Sequence, residues 1–252
     1  MTFPSQARSC VLACAAAGCA FLPIAGAWAQ SASRVIELFT SQGCSSCPPA
    51  DRLAEKLSRE PGTVVLSLPV EYWDYIGWKD TFATSANTAR QKAYALARGD
   101  GNVYTPQAVI DGLRHAVGSD PIEIDDATKL AALDPAAMKV SLTTQRANGR
   151  LVAEVDGGPA NGPKWGAFWV FHVTKSRTVA IARGENAGHT VTYTNIVRSV
   201  EKVGNWMGQP ARFEIDDTGL KGPDADGYVL ILQASSGDKP GAILAAVKGP
   251  GL

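Results

Sequence analysis

The chain of 252 residues sets 24 basic side chains against 24 acidic ones, and 45% of it is apolar. No basic run occurs, which leaves nothing for nucleic acid or an anionic membrane surface to hold, and the apolar fraction suffices for a sizeable core. Of the five cysteines, Cys10, Cys14 and Cys19 fall near the N-terminus, and only Cys44 and Cys47 follow.

Residues 1–9 are polar with one cation, Arg8, whereas Cys10 to Ala29 carries no charge and ends in Ala27-Trp28-Ala29 before Gln30. That order is the n-region, apolar stretch and small-x-small site of a secretory signal over residues 1–29, cleaved after Ala29. It implies a periplasmic or secreted protein with a net balance of −1 once Arg8 is gone. An uncleaved anchor competes, because the apolar run is nearly long enough to span a bilayer. So does lipidation at Cys19, after Ala16-Ala17-Gly18. Pro23 and Gly26 near the end of the run favour cleavage, and the apolar run continuing past Cys19 opposes lipidation.

Arg34 to Thr40 is apolar and β-branched enough for a buried strand. After Ser41-Gln42-Gly43 and Cys44-Ser45-Ser46-Cys47, Pro48-Pro49 opens a helix with Ala50, Leu53, Ala54 and Leu57 at helical spacing. Pro61-Gly62 turns the chain into a second apolar strand, Thr63 to Val70. Strand, helix and strand in so short a span predict a βαβ unit on a parallel sheet. An aromatic run, Tyr72 to Trp78, comes next and reads as core, with Asp74 the acid to watch in it. A helix is predicted over 84–98, closed by Gly99. A strand at 107–110 and its return at 114–117 flank the hairpin signal Asp111-Gly112. A last helix follows, with Ser119 as its cap, through Leu133.

Beyond Asp134-Pro135 the texture changes to short alternating segments with Gly, Pro and Asn turns. Strands are predicted at 139–145, 151–156, 165–173, 178–182, 190–197, 212–215, 228–234 and 242–248, the pattern of a β-sandwich. The organisation expected is an α/β domain at 34–134 and an all-β, sandwich-like domain at 138–252.

Two cysteines two residues apart close a disulfide with little strain, and a strand-to-helix junction places them where a thiolate is favoured. Cys44 can then attack a substrate disulfide, and Cys47, shielded by the helix, can resolve the mixed disulfide. A structural disulfide is the bland alternative, yet so short a loop contributes only about 2 kcal/mol. A zinc site would need two more Cys or His ligands, and His115, His172 and His189 are scattered. Copper(I) lacks a Met or His cluster. No metal and no bound cofactor is expected.

Val35 to Leu57, Tyr72-Trp73-Asp74 and Val103-Tyr104-Thr105-Pro106-Gln107 together resemble the thioredoxin-like superfamily. With Arg183-Gly184-Glu185-Asn186 and Thr192-Tyr193-Thr194-Asn195, they resemble more narrowly a bacterial secreted family known as a domain of unknown function. The resemblance implies an α/β thioredoxin-like N-terminal domain, with Cys44 as nucleophile and Cys47 as resolving thiol. It also implies a cis Thr105–Pro106 bond facing the cysteines, Thr105 lending its backbone to the substrate chain. The alternative for that proline is a trans bond entering an edge strand. Glu37 corresponds to the buried acid beneath the pair that accepts protons during exchange, although the spacing differs by one residue and the alternative is a salt-bridged Glu. The function expected is an exported thiol–disulfide oxidoreductase acting on protein or small-molecule thiols and disulfides. The alternative is a non-catalytic binding or adaptor module whose β domain is the docking surface.

Overall fold

A computed structural model describes Met1, residues 30–222 and residues 224–252. Apart from Met1, the segment expected to be a signal lies outside the described residues. The first half runs β1 (Gln30–Ser31), β2 (Arg34–Thr40), α1 (Pro48–Ser58), β3 (Thr63–Pro69), a 3₁₀ turn at Asp74–Ile76, α2 (Ser85–Arg98), β4 (Gln107–Ile110), β5 (Arg114–Val117) and α3 (Pro121–Ala132). The second runs β6 (Leu142–Ala147), β7 (Arg150–Val155), β8 (Gly166–Ala180), β9 (Thr190–Trp206), β10 (Ala211–Asp216), β11 (Gly227–Ser236) and β12 (Lys239–Lys248).

These strands correct the expected fold class. One nine-stranded mixed sheet runs through both halves in the order β1-β12-β11-β8-β9-β3-β2-β4-β5, and a three-stranded sheet, β10-β7-β6, stands apart. The fold is mostly β, not an α/β thioredoxin-like N-terminal domain joined to a separate β-sandwich. The reason is visible at β3. All seven of its residues are buried, so it cannot serve as the wet edge of a small sheet, and an open edge is a liability. β9 covers that edge in parallel, with Ser67 opposite Ile196. The Ser67 hydroxyl donates to the Thr194 carbonyl and the Asn195 amide to the Val65 carbonyl.

Strand alternation decides which residues meet which helix. Ile36 and Leu38 of β2 pack with Ala50 and Ala54 of α1 and with Ile124, Ala127 and Ala131 of α3. Val35 and Phe39 point the other way and pack with Tyr94 of α2 and with Phe171, Val229 and Ile231 from the second half. The three-stranded sheet closes a further core, in which Phe213 stacks on Phe168 at 4.6 Å between ring centroids. β8 and β9 are longer than predicted. The polar run Thr174 to Arg177, read as an interruption, is strand that continues the hairpin, buried at Thr174 and exposed at Ser176 and Arg177. Asp120, not Ser119, caps α3, its carboxylate accepting from the amides of Ile122 and Glu123.

Candidate active site

The cysteine turn grows out of the end of β2. The Cys44 amide donates to the Ser41 carbonyl and the Cys47 amide to the Cys44 carbonyl, both at 3.1 Å. This turn brings the two Cα atoms to 5.4 Å, and the sulfurs are bonded. Cys47 itself is the N-cap of α1, so Cys44 lies one turn before the helix rather than on it. Pro48 and Pro49 take the first two helical positions. Neither has an N–H, so two of the orphan donors at a helix start are missing, and the thiolate receives less help there than the cysteine spacing alone promises. Ser45 and Ser46 are exposed, whereas Cys44 and Cys47 are 1% and 0% exposed. The expected contrast between an open nucleophile and a shielded partner is absent from this disulfide form.

Residues 72–84 wrap the turn. Gly43 meets the Trp73 Cβ and backbone and the tip of Ile76 within 3.1–3.3 Å of where a side chain would begin; only glycine leaves this approach open. Trp73 then reaches across to Thr105, its indole N–H donating to Oγ1 at 2.8 Å. The Thr105–Pro106 peptide is cis. Trp73 thus links the residue before Cys44 to the residue before Pro106. Gln42 is fully buried and hydrogen-bonded throughout: its side-chain carbonyl accepts from Trp78, its amide group donates to Thr81, and its backbone N–H donates to Asp80. Asp74 accepts from the Asp80 amide and holds this loop together. Tyr75, expected as core, is exposed.

The residues match a family model, "Protein of unknown function (DUF1223)", over positions 35–233. The chain belongs to the DUF1223 family. A crystal structure of protein AGR_C_4864 from Agrobacterium tumefaciens is 32% identical, with a TM-score of 0.75 over 88% of this chain and 96% of that one. HBP35 of Porphyromonas gingivalis shares the fold more distantly, with 12% identity and a TM-score of 0.53 over 88% of this chain and 76% of that one. No curated protein matches.

In this DUF1223 chain Glu37 is buried and salt-bridged. As an odd-numbered residue of β2 it faces α2, where Arg90 grips both carboxylate oxygens at 2.5 and 3.0 Å. The Tyr94 hydroxyl donates to the same carboxylate. Arg90 also donates to the Gln233 side chain on β11 and lies over the rings of Tyr94 and Phe171. A carboxylate so paired joins the two halves and has no free oxygen for proton relay.

The buried acid one helical turn beyond Cys47 is Asp51, in the first turn of α1. Its amide donates to the Cys47 carbonyl. One carboxyl oxygen accepts from the Thr40 hydroxyl at 2.8 Å, and the other, fully buried, has no hydrogen-bond partner among the described residues. Burial pushes the Asp51 carboxyl up to about 8; the Thr40 hydrogen bond opposes this and the nearby Asp80 adds to it. Asp80 is itself raised, mainly by burial, with hydrogen bonds from the amides of Gln42, Phe82 and Ala83 opposing the rise. Tyr193 on β9, buried near both acids, is held far above the usual phenol range. The sequence reading missed Asp51 because an acid in the first turn of a helix ordinarily marks a solvated face that complements the helix dipole. The signal for it is Thr40, an even-numbered residue of β2 that faces α1 and presents a hydroxyl there.

Proposed function

We propose that this protein is an exported thiol–disulfide oxidoreductase that works through Cys44 and Cys47. The single observation carrying this is the closed Cys44–Cys47 disulfide one helical turn before Asp51, a buried carboxyl whose amide bonds the Cys47 carbonyl. In the reducing direction, the Cys44 thiolate attacks one sulfur of a partner disulfide and the first partner thiolate leaves. The Cys47 thiol gives up its proton, its thiolate attacks Cys44 Sγ, and the second partner thiolate leaves as the Cys44–Cys47 bond forms. Two electrons pass to the partner, and a dithiol reductant restores the pair. Asp51 receives the Cys47 proton. A carboxyl near 8 has about the affinity of a thiol, whose ordinary value is about 8.5, so the proton moves either way at little cost. No bound cofactor enters the cycle.

Burial of both cysteines favours a second reading, in which the disulfide is structural and the protein is a binding or adaptor module. A Cys47→Ser variant separates the two. Incubated with oxidised glutathione, an oxidoreductase accumulates a mixed disulfide on Cys44, read as an added mass on the intact protein. A Cys44 thiol that stays unmodified in the folded variant rejects the oxidoreductase. Export is tested by the same mass measurement on protein recovered from the periplasm, which begins at Gln30 if the signal is cleaved after Ala29.

A further inference from the structure

β8 and β9 form the longest hairpin, paired from Gly166–Trp206 to Ala180–Thr190, and its tip reaches the cysteine turn. The tip closes on itself: the Ile181 amide donates to the His189 carbonyl, Gly188 to Ile181 and His189 to Asn186. Gly184, at φ +79°, lies against the Trp78 side chain. Asn186 is buried between the exposed residues Glu185 and Ala187. Its side-chain N–H₂ donates to two carbonyls, those of Gln42 and Cys44, each at 2.9 Å. Those two groups flank Gly43, and the Cys44 carbonyl is the one that also accepts from the Cys47 amide.

We infer that Asn186 is a positioning residue for the redox pair. Its two hydrogen bonds hold the Gln42–Cys44 backbone in the disulfide-closing shape when the bond is broken, so that the thiols stay poised to close again. The backbone freedom that a reduced turn would otherwise gain favours the open dithiol. A clamp that denies this freedom favours the disulfide. The inference rests on the oxidoreductase reading for its purpose, but its chemistry needs only the reversible pair. Dithiothreitol gives two electrons and two protons to the Cys44–Cys47 bond and becomes its own cyclic disulfide.

The experiment is equilibration of the full chain with reduced and oxidised dithiothreitol, with the dithiol fraction read by alkylation and mass. Asn186→Asp keeps the shape and removes the donors, Asn186→Ala removes the group, and Glu185→Ala on the exposed side of the tip is the control. Both Asn186 variants are expected to shift the equilibrium toward dithiol about tenfold, which is 29.6 mV. Glu185→Ala should leave it in place. An unchanged equilibrium, with both redox forms destabilised equally, would overturn the inference and leave Asn186 as packing. Should the variants not fold, hydrogen exchange of the wild-type Asn186 side-chain amide decides. Protection in both redox forms supports the clamp, and its loss on reduction rejects it. None of these readouts needs turnover, so a wild type that exchanges with no partner would remove the proposed function and leave the clamp standing.

Discussion

Glu37 and Asp51 are both buried acids, reached by the same stretch of chain and separated by the plane of β2. On the α2 face Glu37 meets a guanidinium, a phenol and, through Arg90, a side chain from β11. On the α1 face Asp51 meets one hydroxyl, and its other oxygen has no hydrogen-bond partner among the described residues. Removal from water costs a charge several kcal/mol, and the group either finds a counterion or takes up a proton. The first acid found a counterion and became a joint between the halves. The second has no such ion pair, and burial raises its carboxyl to about 8. Burial alone does not separate the two acids; the ion pair to Arg90, present at Glu37 and lacking at Asp51 among the described residues, does.

The contrast breaks most visibly at Glu37. Glu37→Ala strands Arg90 in the core, and losing one member of a buried pair costs about 3–5 kcal/mol. Urea unfolding is expected to show a loss of that size, while the dithiothreitol equilibrium of the folded variant stays at the wild-type value. Asp51→Asn should do the reverse. Asp51 is raised to about 8 in the folded chain from an ordinary value near 3.8. Its contribution is therefore complete below about pH 4 and is lost as pH rises through 8. Wild-type stability should fall across that window by a few kcal/mol, and the Asn variant should lack most of the slope and be the more stable of the two above pH 7. Asp111, raised to about 6 by burial against its hydrogen bond from the Val35 amide, adds to the lower part of the window in both proteins. The difference between the two pH profiles isolates Asp51. In an exchange assay the Asn variant should also lose the rising limb of rate near pH 8.

A smaller effect sharpens the site's outline. Trp73→Phe keeps the Cβ and backbone contact with Gly43 and removes the hydrogen bond to Thr105, a loss of about 1 kcal/mol. Exchange with a peptide disulfide should fall further than that stability loss explains if the Gly43–Trp73–Thr105 link positions the partner. At the small end, Arg212→Ala removes exposed pairs with Glu154 and Glu214 on the three-stranded sheet. Ion pairs in water contribute little, and the unfolding midpoint should not move measurably.

Local elements were readable from local signals. The strand at Arg34–Thr40, the helix after Pro48-Pro49, the helix between Thr84 and Gly99 and the hairpin around Asp111-Gly112 coincide with observed elements. The sheet was not readable, because β3 and β9 meet through residues as remote as Ser67 and Ile196 and no local pattern announces the pairing. The missed parts of the site have the same origin. Asp51 is identified only once the face of β2 that carries Thr40 is known. Asn186 is identified only once the β8–β9 hairpin is seen to end at Cys44. In both cases a polar residue in a polar segment is given its role by a partner from elsewhere in the chain.

The central claim is that Cys44 and Cys47 turn over. The direct measurement is the rate at which the purified chain from Gln30 onward accelerates reduction of insulin's disulfides by dithiothreitol, alongside its Cys44→Ser variant. Acceleration by the wild type, abolished in a Cys44→Ser protein that unfolds at the same urea concentration as the reduced wild type, is the predicted result. A wild type no faster than dithiothreitol alone, or a variant equally active, would contradict it.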